Sequence, residues 1–542
     1  MTSTPHSRTI IRRVLAAALS LATVFPMAAC GNSSGATKKA EYDANGKVIV
    51  TIQMVSQTTW DSMENMTWTE RVQEACDCTI KWQQTPQNEW DRKRPTTLTA
   101  GDVPDGGFNY YYQRETNTYN YFENLKDHLD KMPNIKAFFE AEPDSRKAVE
   151  STDGDIYIIP RNKGEFGSNS RVHLFINKTW MDKLGLQVPK TWDELTQVLE
   201  AFKTQDPNGN GEADEIPATF RAMQTTGLVW QGPFAFLNSV GIPTQFSHEA
   251  RNFGAYVKND KVENFLTDDR FKEVLKYLHT LVEKDLYPAE YISDETKYNA
   301  LTQSDGQTAK VGLTITESSL SFGGLADQYV AIPWPKATAD MSDSEIYADL
   351  SQKVQGFKGD GFTVSKKAAP EVKEALYKII NQLYSEESSI EQAYGGIGKT
   401  VTKTGDHSYK VDESVFNTKK TQWLGLQYTT GYLNNNMTIE GAKDVDALKE
   451  AENVYTSQRD NLGDIDANRF PIYAVSNDEE AETLSNDRAV IWGYAPTIFA
   501  NWIKDGGVDE GWDEYVRHMN DIGLQRDIDI WTGIYQRVKN LK

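Results

Sequence analysis

The chain has 542 residues, of which 11% are aromatic and 25% charged, with 78 acidic against 57 basic side chains and a formal net charge of −21. That length is too great for one compact core and points to two or more lobes. The negative balance argues against nucleic acid and, short of a local basic pocket, against a strongly anionic ligand.

Arg8, Arg12 and Arg13 precede an apolar stretch from Val14 to Phe25, and Met27-Ala28-Ala29-Cys30 leads into a polar run to Lys39. A charged start, a short apolar centre and small residues before a cleavage point make a secretory signal. The apolar run is too short for a comfortable membrane span, and no later run approaches that length. Residues 1–29 are therefore read as a bacterial lipoprotein signal. Cys30 is then the lipidated new N-terminus, the chain's one membrane contact. Residues 30–46, polar and without period, read as a flexible tether that holds the folded part off the lipid surface.

Folding is expected from Lys47. Val48, Val50, Ile52 and Met54 alternate as in a strand. A helix over Trp68–Ala75, a strand over Thr79–Gln83, a helix over 90–100 and a Gly-Asp-Val-Pro-Asp turn into Gly106–Tyr112 follow. This alternation predicts α/β layers with mostly parallel neighbours. Cys76 and Cys78 flank one aspartate, a spacing that is tight for a disulfide. Two small packing residues at a helix-to-strand junction are favoured, and an i,i+2 disulfide is the alternative.

In the middle of the chain Thr191 and Glu194 form an expected capping box, and Leu195, Val198, Leu199 and Phe202 give one buried helical face. Phe271–Lys284 reads as a second amphipathic helix. Lys310–Thr314 and Gly361–Ser365 read as short strands. Helices are expected over Glu371–Ser385, led by Pro370, and over Gly511–Val538 with a break at Gly523.

The strongest chemical motif is Asp206-Pro207-Asn208-Gly209-Asn210-Gly211-Glu212-Ala213-Asp214-Glu215. Oxygen side chains fall at its first, third, fifth and ninth positions, with glycine at the sixth. Hard calcium needs six to eight oxygens around one point, and alternating side chains around a sharp glycine turn supply them. The expected ligands are Asp206, Asn208, Asn210, the main-chain carbonyl of Glu212, Asp214 and Glu215. The last two close the site, because Pro217 stands where a bidentate glutamate is usual. The expected role of the Ca2+ is structural.

Catalytic motifs are lacking. There is no His-Glu-x-x-His, no Gly-x-Ser-x-Gly and no dinucleotide glycine fingerprint after a strand. Paired carboxylates of a glycoside hydrolase cannot be sorted among 78 acids and stay open as the enzyme alternative.

The stretch Phe175–Leu195, with its Asn-Lys-Thr-Trp and Pro-Lys-Thr-Trp-Asp-Glu-Leu, resembles the second-lobe entry of extracellular solute-binding proteins of ABC importers. With the loop Asp206–Pro217 it is similar to the long, calcium-bearing branch of that family, which includes alginate- and oligosaccharide-binding lipoproteins. Gly101–Asp105, Leu383–Glu387 with Tyr394-Gly395, Trp512–Tyr515 and Gly523-Leu524 match further motifs, from about 47 to 538. Cys76-Asp77-Cys78 departs from the family's usual junction.

The resemblance implies an α/β, two-lobe periplasmic-binding-protein-like fold (type II) with discontinuous lobes joined by a multi-strand hinge. The lobe boundaries it suggests are 47–165 plus 315–360 and 166–314 plus 361–542, with crossings near 160–172, 312–318 and 356–364. It also implies a monomeric, non-enzymatic binder that closes on an oligosaccharide and hands it to ABC permease subunits. A peptide-binding importer component, a polysaccharide-surface adhesin without a permease and a secreted glycoside hydrolase are the alternatives.

A sugar site needs aromatic platforms and planar polar side chains. The candidates near strand ends are Trp60, Asn109, Tyr110, Tyr111, Arg161, Trp230, Glu317, Trp423, Tyr428, Trp492 and Tyr494.

Overall fold

The computed structural model describes residues 37–540 apart from 152, 167–169, 224–227, 229–230, 246–247, 249, 297, 299–307, 350–356 and 417–421. The signal, Cys30 and Trp230 lie outside the described residues.

The strands in chain order are β1 Glu41–Tyr42, β2 Val48–Ser56, β3 Thr79–Pro86, β4 Gly106–Tyr112, β5 Ile159–Asn162, β6 His173–Asn177, β7 Ile216–Ala218, β8 Ala255–Lys258, β9 Lys261–Asn264, β10 Val311–Thr316, β11 Tyr329–Ile332, β12 Phe357–Val364, β13 Val401–Gly405, β14 Ser408–Val411 and β15 Thr438–Glu440. The first sheet runs β1-β2-β4-β12-β5, with β3 also on β2; the second runs β11-β6-β10-β7. A small sheet β13-β14-β15 and the hairpin β8-β9 complete the set among the described residues.

The alternation read in β2 places Val50, Ile52 and Met54 in a dry core with Trp68, Val72 and Phe108. β2 pairs in parallel with both β3 and β4. Parallel neighbours are not the general rule, however. β12 lies antiparallel to both β4 and β5, and β6 is antiparallel to both β10 and β11. A strand that enters a sheet from far along the chain need not obey the right-handed βαβ rule behind that expectation. At Gly361 β12 comes so close to β5 that a Cβ would lie 1.9 Å from the Ile159 carbonyl oxygen, so only glycine fits there.

The lobe boundaries differ from those expected. β10 and β11, in the 315–360 stretch or at its edge, pair with β6 in the second sheet. β12 and the helix Pro370–Leu383, the latter assigned by sequence to the second lobe, build the first: Phe362, Val364, Leu376, Ile379 and Ile380 share a core with β2. The span 312–318 is therefore no crossing. The chain leaves the first sheet between β5 and β6 and re-enters it at β12. The tether is shorter than expected: the Lys38 N–H donates to the Lys367 carbonyl at 2.8 Å, and β1 forms the sheet edge on β2.

Cys76 and Cys78 form a disulfide, the less favoured of the two readings. Asp77 between them takes a left-handed conformation (φ 50°) at the C-terminus of the helix Thr67–Cys76, which turns both cysteines to one side. The capping box is half formed. Thr191 Oγ1 accepts the Glu194 N–H at 3.2 Å, but the Glu194 carboxylate takes the N–H of Lys190, one residue earlier than expected. Lys336 occupies the strand-like bridge beside Thr191, and its carbonyl accepts the Trp192 N–H. The helix Trp192–Thr204 still buries Leu195, Val198, Leu199 and Phe202 against the second sheet's core.

Candidate functional site

Parallel strands aim their C-terminal ends at one edge of a sheet, where α/β proteins place their ligands. Trp60 follows the end of β2, Tyr112 ends β4, and Glu317 follows β10. Trp60 is half-buried and meets the ring of Tyr428 edge-on at 5.0 Å between centroids. Asn109 sits within β4 at a positive φ of 52°. Its amide donates to the Tyr428 carbonyl at 3.0 Å and accepts from Thr430 Oγ1 at 2.5 Å. Asparagine tolerates the left-handed region because its short amide bonds locally. The segment 423–430 is thereby fastened to the first sheet, and Tyr428 is held beside Trp60. Tyr112 is 42% exposed, and the Arg94 guanidinium lies 5.1 Å from its ring centre.

Arg161 lies on β5 directly opposite Lys358 of β12. Its guanidinium grips Asp360 with two hydrogen bonds, 3.0 and 2.7 Å, and donates a third, 2.7 Å, to the Gln427 carbonyl. This fork on carboxylate is a strong, oriented pairing. Lys163, two residues on, is 2% exposed, and its ammonium nitrogen has no hydrogen-bond partner. Gly164 (φ 55°) packs so closely on Leu433 that a Cβ would lie 2.2 Å from its carbonyl oxygen, which fixes the path of the chain beside that lysine.

From the second lobe, Arg171 Nε approaches Glu317 Oε1 at 3.0 Å, an ion-pair contact at an angle that makes no hydrogen bond. The buried His173 donates from Nδ1 to the Glu317 backbone carbonyl at 2.7 Å. Burial pushes its imidazole down to about 4, so the ring is neutral at physiological pH. Burial, then the charges of Arg171, Lys358 and Arg161, push the Lys163 ammonium well below the usual lysine range. Burial also brings Lys358 down to about 8, helped by Arg161 and Arg171.

The fold thus gathers Trp60, Asn109, Tyr428 and Arg161 on the first lobe and sets Glu317 across from them, through Arg171 and Lys163. Four other candidates are corrected to packing roles. Tyr110 stacks on Trp90 at 3.6 Å, and Tyr111 is fully buried among Trp90, Tyr110 and Phe122. Trp423 is buried over Gly395, where a Cβ would sit 2.8 Å from its ring. Trp492, on the helix Asp478–Asp505, packs into the second lobe's core beside Phe253. Irregular chain near a strand end is as often a core lid as a binding edge, and the local sequence does not tell the two apart. Tyr494, on that helix, is half-buried; the His518 ring meets it edge-on at 4.5 Å. It stands apart from the Trp60 group. Sequence reading missed Lys163, Arg171, Lys358, Asp360 and Thr430. The Lys-Gly-Asp alternation at 358–360 was the available signal, masked by the glycines that made the strand seem to start at Gly361.

The loop Asp206–Glu215 closes on its own oxygens. The two carboxylate oxygens of Asp206 accept the N–H groups of Gly209 (2.8 Å) and Gly211 (3.1 Å). Asn208 and Asn210 both donate to Asp214 Oδ1, at 2.9 and 3.0 Å. Their own side-chain carbonyls accept the N–H groups of Asn210 and Glu212. Lys310 pairs with Asp214 at 2.9 Å and, with the two amides, holds its carboxyl below the usual range. Among the described residues no three carboxylate, imidazole or thiol groups gather for a metal. The loop's oxygen-bearing side chains are the carboxylates of Asp206, Asp214 and Glu215, the last accepting the Asn208 N–H at 3.5 Å, and the amides of Asn208 and Asn210. All are hard oxygens, which fits calcium rather than a transition metal.

A family described as bacterial extracellular solute-binding protein matches residues 67–406. The chain belongs to this family. Among solved structures, an extracellular solute-binding protein from Bifidobacterium longum subsp. infantis is 39% identical, with a TM-score of 0.86 over 92% of this chain and 99% of that one. An HMO-binding, ABC-transporter-associated solute-binding protein from Bifidobacterium longum infantis is 38% identical, with a TM-score of 0.85 over 90% of this chain and 99% of that one. The fructooligosaccharide ABC transporter substrate-binding protein FusA of Streptococcus pneumoniae is 27% identical over 485 residues, 83% of each chain. One FusA structure, with a TM-score of 0.74 at 23% identity over 91% and 100% of the two chains, is of an EF-hand mutant. The chain is thus a two-lobe solute-binding protein. No helix among its described residues is long and apolar enough to cross a membrane.

Proposed function

We propose that this solute-binding protein captures an oligosaccharide between its lobes and delivers it unaltered to the permease of an ABC importer. The observation that carries this is the convergence of Trp60, Asn109, Tyr428 and Arg161 at the strand ends of the first lobe. Trp60 and Asn109 lie more than 300 residues before Tyr428 in the chain, and the Asn109–Tyr428 and Asn109–Thr430 bonds lock these segments together. An aromatic pair beside planar polar groups suits the flat C–H faces and hydroxyls of sugars. The kinship with oligosaccharide-binding importer components supports the same reading.

The loop Asp206–Glu215 binds one structural Ca2+, and Cys30 carries the acyl anchor that keeps the monomer at the outer face of the bacterial cell membrane. Turnover forms no part of this function. Glycan-array binding, followed by calorimetry and solution scattering with the best hits, tests it. Binding should contract the particle, and the glycan should be recovered intact. Hydrolysed glycan, or an unchanged scattering curve with every bound sugar, would defeat the proposal.

A further inference from the structure

The junction between the lobes gathers four cationic side chains, one of them buried without a hydrogen-bond partner. Arg161 and Lys163 come from the end of β5, Lys358 from β12, and Arg171 from the entry to β6. Two carboxylates face them, and each is already engaged: Asp360 by the Arg161 fork and Glu317 by Arg171. Lys163 and Lys358 reach no carboxylate within ion-pair distance among the described residues, and Lys163 is almost wholly buried with its ammonium unpartnered. An isolated buried ammonium is costly, so it gives up its proton or finds an anion.

The cluster adjoins the Trp60–Tyr428 platform through Gln427, whose carbonyl Arg161 holds. Tyr112, with its ring exposed, pairs in register with Asp360. An anion arriving here on a sugar would lie beside those rings.

We propose that Lys163 and Lys358, oriented by Arg161–Asp360 and Arg171–Glu317, form a subsite for a carboxylate, so that the oligosaccharide taken up carries an acidic sugar unit. This rests on the oligosaccharide reading above and names its chemical class. Lys358, brought down to about 8, still holds its proton near neutral pH, and the nearby Lys163 nitrogen has no hydrogen-bond partner, so both can bond to a carboxylate that enters here. The net negative charge of the chain disfavours anions at long range, but short-range pairing in a buried site is little screened and outweighs that field.

The test uses matched pairs of glycans that differ only in charge: sialylated trisaccharides with their desialylated forms, and oligogalacturonides with their carboxyl-reduced forms. Calorimetry at pH 7 should give about tenfold tighter binding for the acidic member of at least one pair. The preference should shrink as pH rises past about 8, where Lys358 loses its proton. Lys358→Met should bring the acid-over-neutral affinity ratio to about one; Lys163→Met should do the same. If the buried Lys163 variant does not fold, the Lys358 variant and the pH series decide. Neutral members binding as tightly as acidic ones would overturn this inference and leave the oligosaccharide reading standing. Failure of every glycan, charged or not, would overturn both.

Discussion

The loop Asp206–Glu215 and the junction around Lys163 are both rich in charge, and they meet that charge in opposite ways. The loop is largely exposed, yet its oxygens bond to its own backbone, to each other and to Lys310. The junction is buried, yet one ammonium has no partner. Apart from Lys183 and Lys310, whose ammonium groups reach in from elsewhere in the chain, the loop's partners lie within ten residues, so closure is largely local. The junction's partners are far apart in the chain: Arg161 and Asp360 by 199 residues, Arg171 and Glu317 by about 150. A self-satisfied loop suits a structural ion. An unsatisfied buried group at a junction is poised for something that arrives from outside.

The largest effect separating the two regions should come from breaking the buried fork. Asp360→Ala leaves Arg161 unpaired next to two lysines, and about 3–5 kcal/mol of first-lobe stability should be lost in urea unfolding. A loss under about 1 kcal/mol would show that the junction's charges are effectively solvated. Next comes the contrast between a packing and a platform tryptophan. Trp492→Ala should cost about 3–5 kcal/mol of stability. Trp60→Ala should instead weaken sugar binding by about 1–3 kcal/mol, by analogy with base–aromatic stacking, with little change in melting. Equal effects of the two on binding would return Trp492 to the site.

Calcium sharpens the loop's side of the comparison. Chelated protein should take up calcium by calorimetry and gain about 2.7 kcal/mol of stability at a hundred times its dissociation constant. Asp206→Ala should show neither response. The smallest effect belongs to the disulfide: reducing Cys76–Cys78 opens a loop of three residues, worth at most about 1.5 kcal/mol by chain entropy. A larger fall in melting temperature would mean that the bridge braces the Thr67–Cys76 helix against β3.

Much of the fold was legible because it is written in short periods. The β2 alternation, the Leu195–Phe202 stripe, the Pro370 start and the Gly523 break all concern residues within a turn or two of each other. Lobe membership was not legible, because β12 could be placed only by its pairing with β4 and β5. The site was half legible. Trp60, Asn109, Tyr428 and Arg161 stood near strand ends, and so did Tyr110, Tyr111 and Trp423. Only the packing of distant segments buried the second group, together with Asn109 and Arg161, and left Trp60 and Tyr428 half-buried side by side.

The sequence alone therefore determined the local order of helices and strands and the oxygen spacing of the Asp206–Glu215 loop, both of which depend on neighbours in the chain. The tertiary structure decided which strands share a sheet, which aromatics remain open, whether Cys76 and Cys78 bond, and that Lys163 and Lys358 are left short of counter-charge. Those outcomes depend on contacts between residues hundreds of positions apart, and no local pattern records them.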